Sequence, residues 1–324
     1  MTSLPHGPTL VTGGAGFIGS HMTDRLIQNG IETTVLDNLS TGKMLNLSTS
    51  KDNRLFHFVK EDLNNIEAIK KALKDIKVVF HMAADPEVRT GVDDPHSSYN
   101  QNLKNTFYFL DEIRKSGVER IVFASSSAVY GDAKIFPTPE SYGPLMPISA
   151  YGASKLACEA YVSSFCHNHG IDGYIVRPAN VIGSRSRHGV IWDFINKLMK
   201  NSKKLEVLGD GRQVKSYIHI SDGVDGFFDC LKSKNKVDVF NLGSNDSVEV
   251  INIARTVCKN MKLDDTEIAT TGGVDGGRGW VGDIRKAHLD ITKLKGLGWN
   301  PKLSSAESVD ITSKEILKDP LLQR

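Results

Sequence analysis

The segment Tyr151-Gly152-Ala153-Ser154-Lys155 carries the residue types of a proton-transfer site. If these residues begin a helix, Tyr151 and Lys155 stand on one helix face, one turn apart. An ammonium group beside a phenol favours the phenolate, so Lys155 is predicted to lower the pKa of Tyr151. A phenolate placed in this way can take a proton from a substrate hydroxyl. An ordinary exposed helix face is the alternative, and the rest of the chain decides between the two.

A glycine-rich turn near the N-terminus supports the catalytic interpretation. Thr9–Thr12 is predicted to form a buried strand and Ser20–Asn29 a helix, with Gly13, Gly16 and Gly19 between them in the spacing GxxGxxG. In such a turn the first glycine permits the sharp bend, the second lets the backbone approach a pyrophosphate, and the third allows close packing. The helix N-terminus would offer its N–H groups to the phosphates. A strand-to-helix turn without a ligand is the alternative.

A carboxylate at the end of the second predicted strand indicates which cofactor binds. The strand Ile31–Leu36 ends at Asp37, about 20 residues past the glycine turn, where an acidic residue suits a ribose 2′-hydroxyl. Its charge would repel the 2′-phosphate of NADP, so NAD is predicted; a solvated turn aspartate is the alternative. Asp62, near the end of the third strand, could reach the adenine amino group. Ala83 and Ala84, after the fourth, leave room for a dinucleotide.

Strands and helices alternate through the first half of the chain. This alternation is typical of an α/β fold with a Rossmann-type, doubly wound parallel sheet, in which ligands bind at the carboxyl ends of the strands. A smaller α+β domain that binds the substrate is expected in the C-terminal half. The further strands predicted are Phe56–Val59, Val78–His81 and Ile121–Ala124, and the helices are Glu67–Lys74 and Tyr99–Lys115.

Three serines follow the fifth predicted strand directly, at positions 125–127. They stand at the strand's carboxyl end, where the fold class places ligands. A serine hydroxyl there could hydrogen-bond the substrate oxygen that Tyr151 deprotonates. A polar loop without a function is the alternative.

Length and charge restrict the class of protein. The chain has 324 residues, enough for a large domain and a smaller second one. Its net charge of +2, from 40 basic and 38 acidic residues, does not indicate a nucleic-acid or membrane-surface partner. The N-terminus lacks a signal-peptide pattern, and no apolar run has the length of a membrane span. The four cysteines lack CxxC spacing, so we expect reduced thiols and a cytoplasmic protein. The histidines lack metal-ligand spacing, so no metal is expected.

Taken together, these motifs resemble the extended short-chain dehydrogenase/reductase family, in its NAD-dependent epimerase/dehydratase branch. The resemblance covers nearly the whole chain, and it is greatest to UDP-glucose 4-epimerases of the shorter archaeal and bacterial type. The matching segments, in the family's order and spacing, are Thr-Gly-Gly-Ala-Gly-Phe-Ile-Gly at 12–19, Asp-Asn-Leu-Ser-Thr-Gly at 37–42, His-Met-Ala-Ala at 81–84, Ser-Ser-Ser-Ala-Val-Tyr-Gly at 125–131 and Tyr-Gly-Ala-Ser-Lys at 151–155.

The resemblance implies roles for individual residues. Tyr151 is the acid/base, and Lys155 holds the nicotinamide ribose and tunes the phenol. Ser126 matches the catalytic serine because it stands four residues before Tyr130 and 25 before Tyr151, although Ser125 and Ser127 stay open. Ser127 is also expected to contact the substrate. The implied cofactor contacts, besides Tyr151 and Lys155, are Gly13, Gly16, Phe17, Ile18, Gly19, Asp37, Asn38, Ser40, Thr41, Gly42, Asp62, Leu63, Ala83, Ala84 and Asn102.

Three polar residues of the C-terminal half are implied to bind the substrate's phosphates. Asn180 matches an asparagine with this role in the family. Lys215 replaces the arginine of the family pattern V-R-D-Y/F-I-H, so it keeps the charge but loses the bidentate fork. Arg278 is the second candidate for the diphosphate. For either cation alone, a solvated surface charge is the alternative.

The two residues directly before Val129 favour epimerisation over the family's other reactions. Dehydratases and UDP-glucuronate decarboxylases carry an added acid in this run, and here Ser127-Ala128 stand directly before Val-Tyr-Gly. Serine, tyrosine and lysine around NAD can oxidise C4 of a sugar and reduce it again. We therefore predict NAD-dependent C4 epimerisation of UDP-glucose and UDP-galactose. The alternatives are a UDP-uronic acid epimerase, a one-way 4-reductase and a non-catalytic NAD-sensing regulator.

The resemblance also bears on the sugar, the domains and the assembly. Ala287 occupies a position where the family carries a bulky residue beside C2, so UDP-GlcNAc and UDP-GalNAc are plausible substrates. The NAD-binding domain is expected over residues 1–178, with return segments at about 216–243, and the nucleotide-sugar domain over 179–215 and 244–324. By analogy, a homodimer is expected through helices around 99–116 and 151–169.

Overall fold

A sheet of seven parallel strands forms the centre of the protein. The computed structural model describes residues 4–88 and 94–322. In chain order the strands are Thr9–Thr12 (β1), Thr33–Leu36 (β2), Phe56–Val59 (β3), Val78–His81 (β4), Arg120–Ala124 (β5), Asp172–Pro178 (β6), Asn180–Ile182 (β7), Lys204–Val207 (β8), Val214–Lys215 (β9), Tyr217–His219 (β10), Val237–Leu242 (β11), Val248–Glu249 (β12), Glu267–Thr270 (β13) and Lys286–Ala287 (β14).

Ten α-helices flank these strands within the described ranges. They are Phe17–Gln28 (α1), Ile66–Ala72 (α2), Pro95–Ser97 (α3), Asn105–Ile113 (α4), Ala150–His169 (α5), Val190–Lys200 (α6), Ile220–Asp229 (α7), Val250–Asn260 (α8), Thr292–Lys295 (α9) and Ser305–Ile316 (α10). No helix of the described part of the chain is both long and apolar enough to cross a bilayer.

The order of strands in the main sheet is β11-β6-β5-β4-β1-β2-β3, and every neighbouring pair is parallel. The chain moves outward from β1 through β2 to β3, then returns to the other side of β1 for β4 to β6. This reversal is the switch point of a doubly wound fold, and it opens a crevice at the carboxyl ends of β1 and β4. The predicted Rossmann-type α/β fold is confirmed.

The two faces of the sheet carry separate hydrophobic cores. Successive strand residues point to opposite faces, so in β4 Phe80 lies in one core and Val79 in the other, and Val122 and Ile121 of β5 divide in the same way. The first core includes residues of α1 and α7, and the second includes residues of α2, α4 and α5. Because both faces of the sheet are covered, a ligand can reach the sheet at the carboxyl ends of its strands.

A third core lies in the C-terminal half and joins residues of α6, α8, α10 and β8. Two segments of this half run back toward the main sheet. Helix α7 packs against α1, and β11 extends the sheet beside β6, from Val237 opposite Gly173 to Leu242 opposite Pro178. The residues at which one domain ends and the other begins stay a prediction.

Several predicted boundaries were wrong. Helix α1 begins at Phe17 rather than Ser20, because the Ser20 N–H already bonds the Gly16 carbonyl at 3.1 Å. Strand β2 begins at Thr33, because the Ile31 N–H is used at the end of α1, where it bonds the Leu26 carbonyl. The single helix predicted for Tyr99–Lys115 is two elements, a π-helical segment over Ser98–Lys104 followed by α4.

Candidate active site

Helix α5 carries Tyr151 in its first turn and Lys155 in its second. The helix is capped by Ser149, whose hydroxyl accepts a hydrogen bond from the Gly152 N–H at 3.1 Å. The predicted shared face is confirmed, since the Lys155 Nζ lies 6.0 Å from the centre of the Tyr151 ring. Lys155 is buried, and its ammonium group donates to the Ala124 carbonyl at 2.8 Å. That carbonyl ends β5, so the lysine joins α5 to the sheet edge.

The predicted lowering of the Tyr151 pKa by Lys155 is wrong for this arrangement. Burial raises the pKa of Tyr151 to about 12, although the residue keeps intermediate exposure, and a hydrogen bond with Ser126 acts in the opposite direction. Burial also lowers the pKa of Lys155 to about 8. Removal of water thus dominates the titration of both groups, because each loses hydration of its charged form.

The structure distinguishes among the three serines. Ser126 precedes a short 3₁₀ turn over Ser127–Tyr130; its hydroxyl accepts from the Ala128 N–H at 3.1 Å and lies close enough to the Tyr151 phenol to act against the rise of its pKa. The hydroxyl of Ser125 instead donates to the buried carboxylate of Glu159. Ser126 is therefore the serine that meets Tyr151 in this structure. Its catalytic role stays a prediction, as does the role of Ser127.

A cleft of about 320 Å³ runs along the carboxyl ends of β1 to β4. Nine of the predicted cofactor residues line it: Gly13, Asp37, Asn38, Ser40, Thr41, Asp62, Leu63, Ala83 and Ala84. The five further lining residues are Leu36, Glu61, Asp85, Gln101 and Asn105. Two sequence signals were available for them. Leu36, Glu61 and Asp85 adjoin predicted residues, and Gln101 and Asn105 are spaced to share one helix face.

The geometry of the glycine turn fits a bound pyrophosphate. Gly13 has a φ of +65°, and a Cβ there would lie 2.7 Å from the Ala83 Cα. A Cβ on Gly19 would lie 2.2 Å from the Gly13 carbonyl oxygen, so this glycine allows close packing, as predicted. A Cβ on Gly16 would meet only the Gly13 carbonyl, at 3.1 Å, and no side chain caps this end of α1. Space and uncapped N–H groups together can receive phosphate oxygens.

The other predicted contacts at this turn lie near the cleft without lining it. Phe17 and Ile18 form the first turn of α1. Gly14, which is not part of the GxxGxxG spacing, has no room for a Cβ because the Val35 side chain would be 2.7 Å away. Gly42 approaches the turn from the other side, and a Cβ there would lie 2.9 Å from the Ala15 carbonyl carbon.

Asp37 is held by the backbone beside the cleft. Its carboxylate accepts from the Ala15 N–H at 2.9 Å and from the Leu39 N–H at 2.8 Å. Burial raises the pKa of Asp37, and these two hydrogen bonds oppose the rise. Each oxygen keeps acceptor capacity for a ribose hydroxyl. The Asp62 carboxylate accepts from the Asn38 side-chain amide at 2.5 Å, so part of its acceptor capacity is already used.

Asn102 is held by hydrogen bonds within the protein, next to the cleft-lining residue Asp85. It lies in the π-helical segment, is almost fully buried and uses its whole side-chain amide within the protein. Its oxygen accepts from the Asp85 N–H at 2.7 Å, and its nitrogen donates to the Asp85 carbonyl at 3.2 Å and to the Ser154 hydroxyl at 3.1 Å. Asn102 therefore joins the segment that follows β4 to α5. Its predicted contact with the cofactor stays a prediction.

The candidate phosphate-binding residues are partly buried and already paired. Lys215 forms a 2.7 Å ion pair with Asp283, and Arg278 forms a two-pronged ion pair with Asp132 at 2.6 and 3.1 Å. Arg278 also donates to the backbone carbonyl of Asp283, which brings the two cations to one place. The alternative of free, solvated charges is wrong for both. Asn180 donates to the Ser216 carbonyl at 3.0 Å, and no bond links it to either cation.

Among residues 4–88 and 94–322, no three His, Cys, Asp or Glu side chains are arranged to hold a metal ion. The four cysteines are buried and free.

Comparison with known proteins identifies one family, and many solved structures have the same fold. The model of the family described as "NAD dependent epimerase/dehydratase family" matches residues 9–243. The UDP-glucose 4-epimerase of Mycolicibacterium smegmatis is 32% identical over 310 residues, which are 93% of this chain and 96% of that protein.

Two solved structures are similar over almost their whole length. The crystal structure of a UDP-galactose 4-epimerase is 40% identical with a TM-score of 0.85, covering 96% of this chain and 99% of that one. The UDP-glucose 4-epimerase of Thermus thermophilus, solved in complex with NAD, is 30% identical with a TM-score of 0.83, over 96% of this chain and 99% of its own.

Proposed function

Because this chain belongs to the NAD-dependent epimerase/dehydratase family, we propose that it inverts C4 of a UDP-hexose by oxidising and then reducing that carbon. The observation that carries the proposal is the meeting of Tyr151, Ser126 and Lys155 at the carboxyl edge of the sheet, next to a cleft lined by nine of the predicted NAD contacts. UDP-glucose and UDP-galactose are its substrates.

Three residues of the chain handle the proton in this reaction. Tyr151 takes the proton of the C4 hydroxyl and later returns it, and Ser126 hydrogen-bonds the same oxygen and polarises the ketone. Lys155 contributes a buried positive charge one helical turn away. NAD, when bound, supplies the acceptor and donor of the C4 hydride, and its positively charged ring favours the phenolate. The 4-keto sugar has to turn in the pocket so that its other face is reduced.

The UDP portion must stay bound while the sugar turns. Lys215 and Arg278 are proposed to bind the diphosphate, which agrees with their shared position beside Asp283. Both cations already have carboxylate partners, so the diphosphate would use their remaining N–H groups or replace Asp132. The cofactor is held by the glycine turn and by Asp37, as the geometry of the cleft supports.

The function is tested by incubating the purified protein with UDP-galactose, without added NAD, and following UDP-glucose by proton NMR. Conversion to an equilibrium mixture is expected, because an epimerase regenerates its own cofactor in each cycle. If nothing forms even after NAD is supplied, the plain hexose is the wrong substrate. UDP-uronic acids then test the alternative epimerase, and binding of NAD without turnover of any UDP-sugar would identify the regulator.

The sugar specificity is proposed to extend to N-acetylated substrates. Ala287 lies in β14, directly opposite Lys215 of β9, so it is next to the proposed diphosphate site. A small side chain there leaves space beside the sugar.

Ala287→Tyr should lower kcat/KM for UDP-GlcNAc by about 10-fold to 200-fold, since changes in the fit of a pocket typically have effects of this size. UDP-glucose turnover should change little. Initial rates with both sugars measure this, and Ala287→Ser serves as the matched control. Equal losses on both sugars would show that Ala287 does not select the substituent at C2.

A homodimer is proposed through one exposed face of α4 and α5. Phe107 and Tyr161 are 37% and 42% exposed and pack edge to face at 5.2 Å, with Phe165 alongside at 5.9 Å from Phe107. An exposed aromatic cluster on two neighbouring helices is typical of an interface that two copies share about a two-fold axis.

Phe107→Glu should convert the protein from a dimer to a monomer of 35.6 kDa, because the charge would be buried in the interface. Light scattering after gel filtration measures the mass. The control is Met199→Glu on α6, at a residue that is 55% exposed and outside this face. A dimer that persists in Phe107→Glu would contradict the proposed surface.

A further inference from the structure

A buried ion pair lies directly beneath the serine turn of residues 125–130. Arg177 of β6 and Glu159 of α5 form two parallel hydrogen bonds, Nε to Oε1 at 2.9 Å and Nη2 to Oε2 at 2.6 Å. Both side chains are only 6% exposed. This two-pronged geometry is the strongest and most directional that these groups form. The proposed proton transfer does not use either residue.

The ion pair binds both ends of the serine turn. At one end, the Ser125 hydroxyl donates to the Glu159 carboxylate. At the other end, Arg177 Nη1 donates to the Tyr130 hydroxyl at 2.9 Å, and the guanidinium carbon lies 4.8 Å from the centre of the Tyr130 ring. The Tyr130 hydroxyl in turn donates to Asn241 of β11 at 2.7 Å. The turn is therefore joined to α5, β6 and β11.

The same helix carries both the ion pair and the acid/base. Tyr151, Lys155 and Glu159 follow one another at intervals of four residues, so they form a single stripe along α5. Lys155 holds the Ala124 carbonyl just before the turn, and Glu159 holds Ser125 at its start. These two contacts of one rigid helix thus set the position of the turn relative to Tyr151.

The guanidinium of Arg177 stays charged over the working pH range. Burial acts to lower the pKa of Arg177, but its hydrogen bonds and ion pair with Glu159 outweigh burial and raise it. A charged group that is buried and paired at two points keeps one geometry, because any departure would leave a buried charge without a partner. This property suits a support that must hold a hydroxyl group in place.

We propose that the Arg177–Glu159 pair, acting through Ser125 and Tyr130, positions the Ser126 hydroxyl against the Tyr151 phenol. These residues are positioning residues, because they touch neither the substrate nor the cofactor. The inference rests on the proposed epimerase function for its kinetic test. It predicts that damage to the support acts on turnover through Ser126 and not through general loss of structure.

A double-mutant cycle tests this coupling. Tyr130→Phe removes one hydroxyl from the support and keeps the ring, so the protein should still fold. We expect kcat to fall about 10-fold with KM nearly unchanged, since a small displacement of a catalytic group costs this much or more. In the Ser126→Ala background, Tyr130→Phe should cause less than about a 2-fold further loss, because the hydroxyl that it positions is already gone. Equal losses in both backgrounds would overturn the inference.

Two further measurements separate the possible failures. Tyr174→Phe, at a buried tyrosine of the sheet core, should leave kcat unchanged and serves as the matched control. Crystal structures of the parent protein and Tyr130→Phe should show the Ser126 hydroxyl displaced away from the Tyr151 phenol in the variant; an undisturbed hydroxyl would reject the inference. If the parent protein converts no UDP-hexose, the proposed function fails and this structural comparison alone decides the role of the ion pair.

Discussion

Replacing Tyr151 with phenylalanine should lower kcat by about 10³-fold or more, while the protein still folds and still contains NAD. General acid–base groups contribute about 10²-fold to 10⁴-fold to catalysis, and here one phenol serves both half-reactions. The ring of phenylalanine fills the same space in the first turn of α5, so packing is kept. Initial rates with UDP-galactose and the absorbance of released cofactor measure the two outcomes.

The matched control is Tyr161→Phe, which removes a hydroxyl from an exposed tyrosine of the same helix. It should leave turnover unchanged. Loss of NAD from Tyr151→Phe would mean that the phenol holds the cofactor rather than the proton. Full activity of this variant would remove Tyr151 from the mechanism and, with it, the main reason for assigning the reaction to this edge of the sheet.

Replacing Gly19 with alanine should abolish NAD binding and, with it, activity. An added Cβ would lie 2.2 Å from the carbonyl oxygen of Gly13 and 2.8 Å from the Gly14 Cα. Both neighbours are backbone atoms, so the glycine turn has to move and the N–H groups of α1 lose their alignment toward the phosphates. The NAD content of the purified protein measures the effect, and the melting temperature should fall as well.

Gly117→Ala is the matched control for this variant, because its Cβ would meet only the end of the Lys77 side chain, at 4.0 Å. It should retain NAD and activity. If Gly19→Ala also retains them, the turn adapts without cost, and its close packing is not needed to form the cofactor site.

Local pattern was enough to predict the fold and the candidate acid/base. Alternation of strands and helices predicts a doubly wound sheet, because each helix must bury its apolar side against the sheet. The helical repeat alone places Tyr151 and Lys155 on one face, and glycine spacing predicts the bend at Gly13 and the close packing at Gly19. These properties depend on residues that are near each other in the chain, so the sequence contains all the information they need.

Tertiary structure alone decided how the predicted groups are used. Ser125 and Ser126 are adjacent and chemically identical, and the difference between them comes from Glu159, 34 residues past Ser125. Arg278 is paired with Asp132, which is 146 residues away, and no local pattern reveals that partner.

The pKa of Tyr151 also separates what the sequence predicts from what the folded chain decides. A lysine at the right spacing predicts a lowered value, but the raised value follows from loss of water around the phenol. Loss of water depends on everything that packs around the site, whereas helical spacing depends only on the helix itself. For this reason the sequence determined which side chains stand together on one element, and only the folded chain decided their hydrogen-bond partners and their charge.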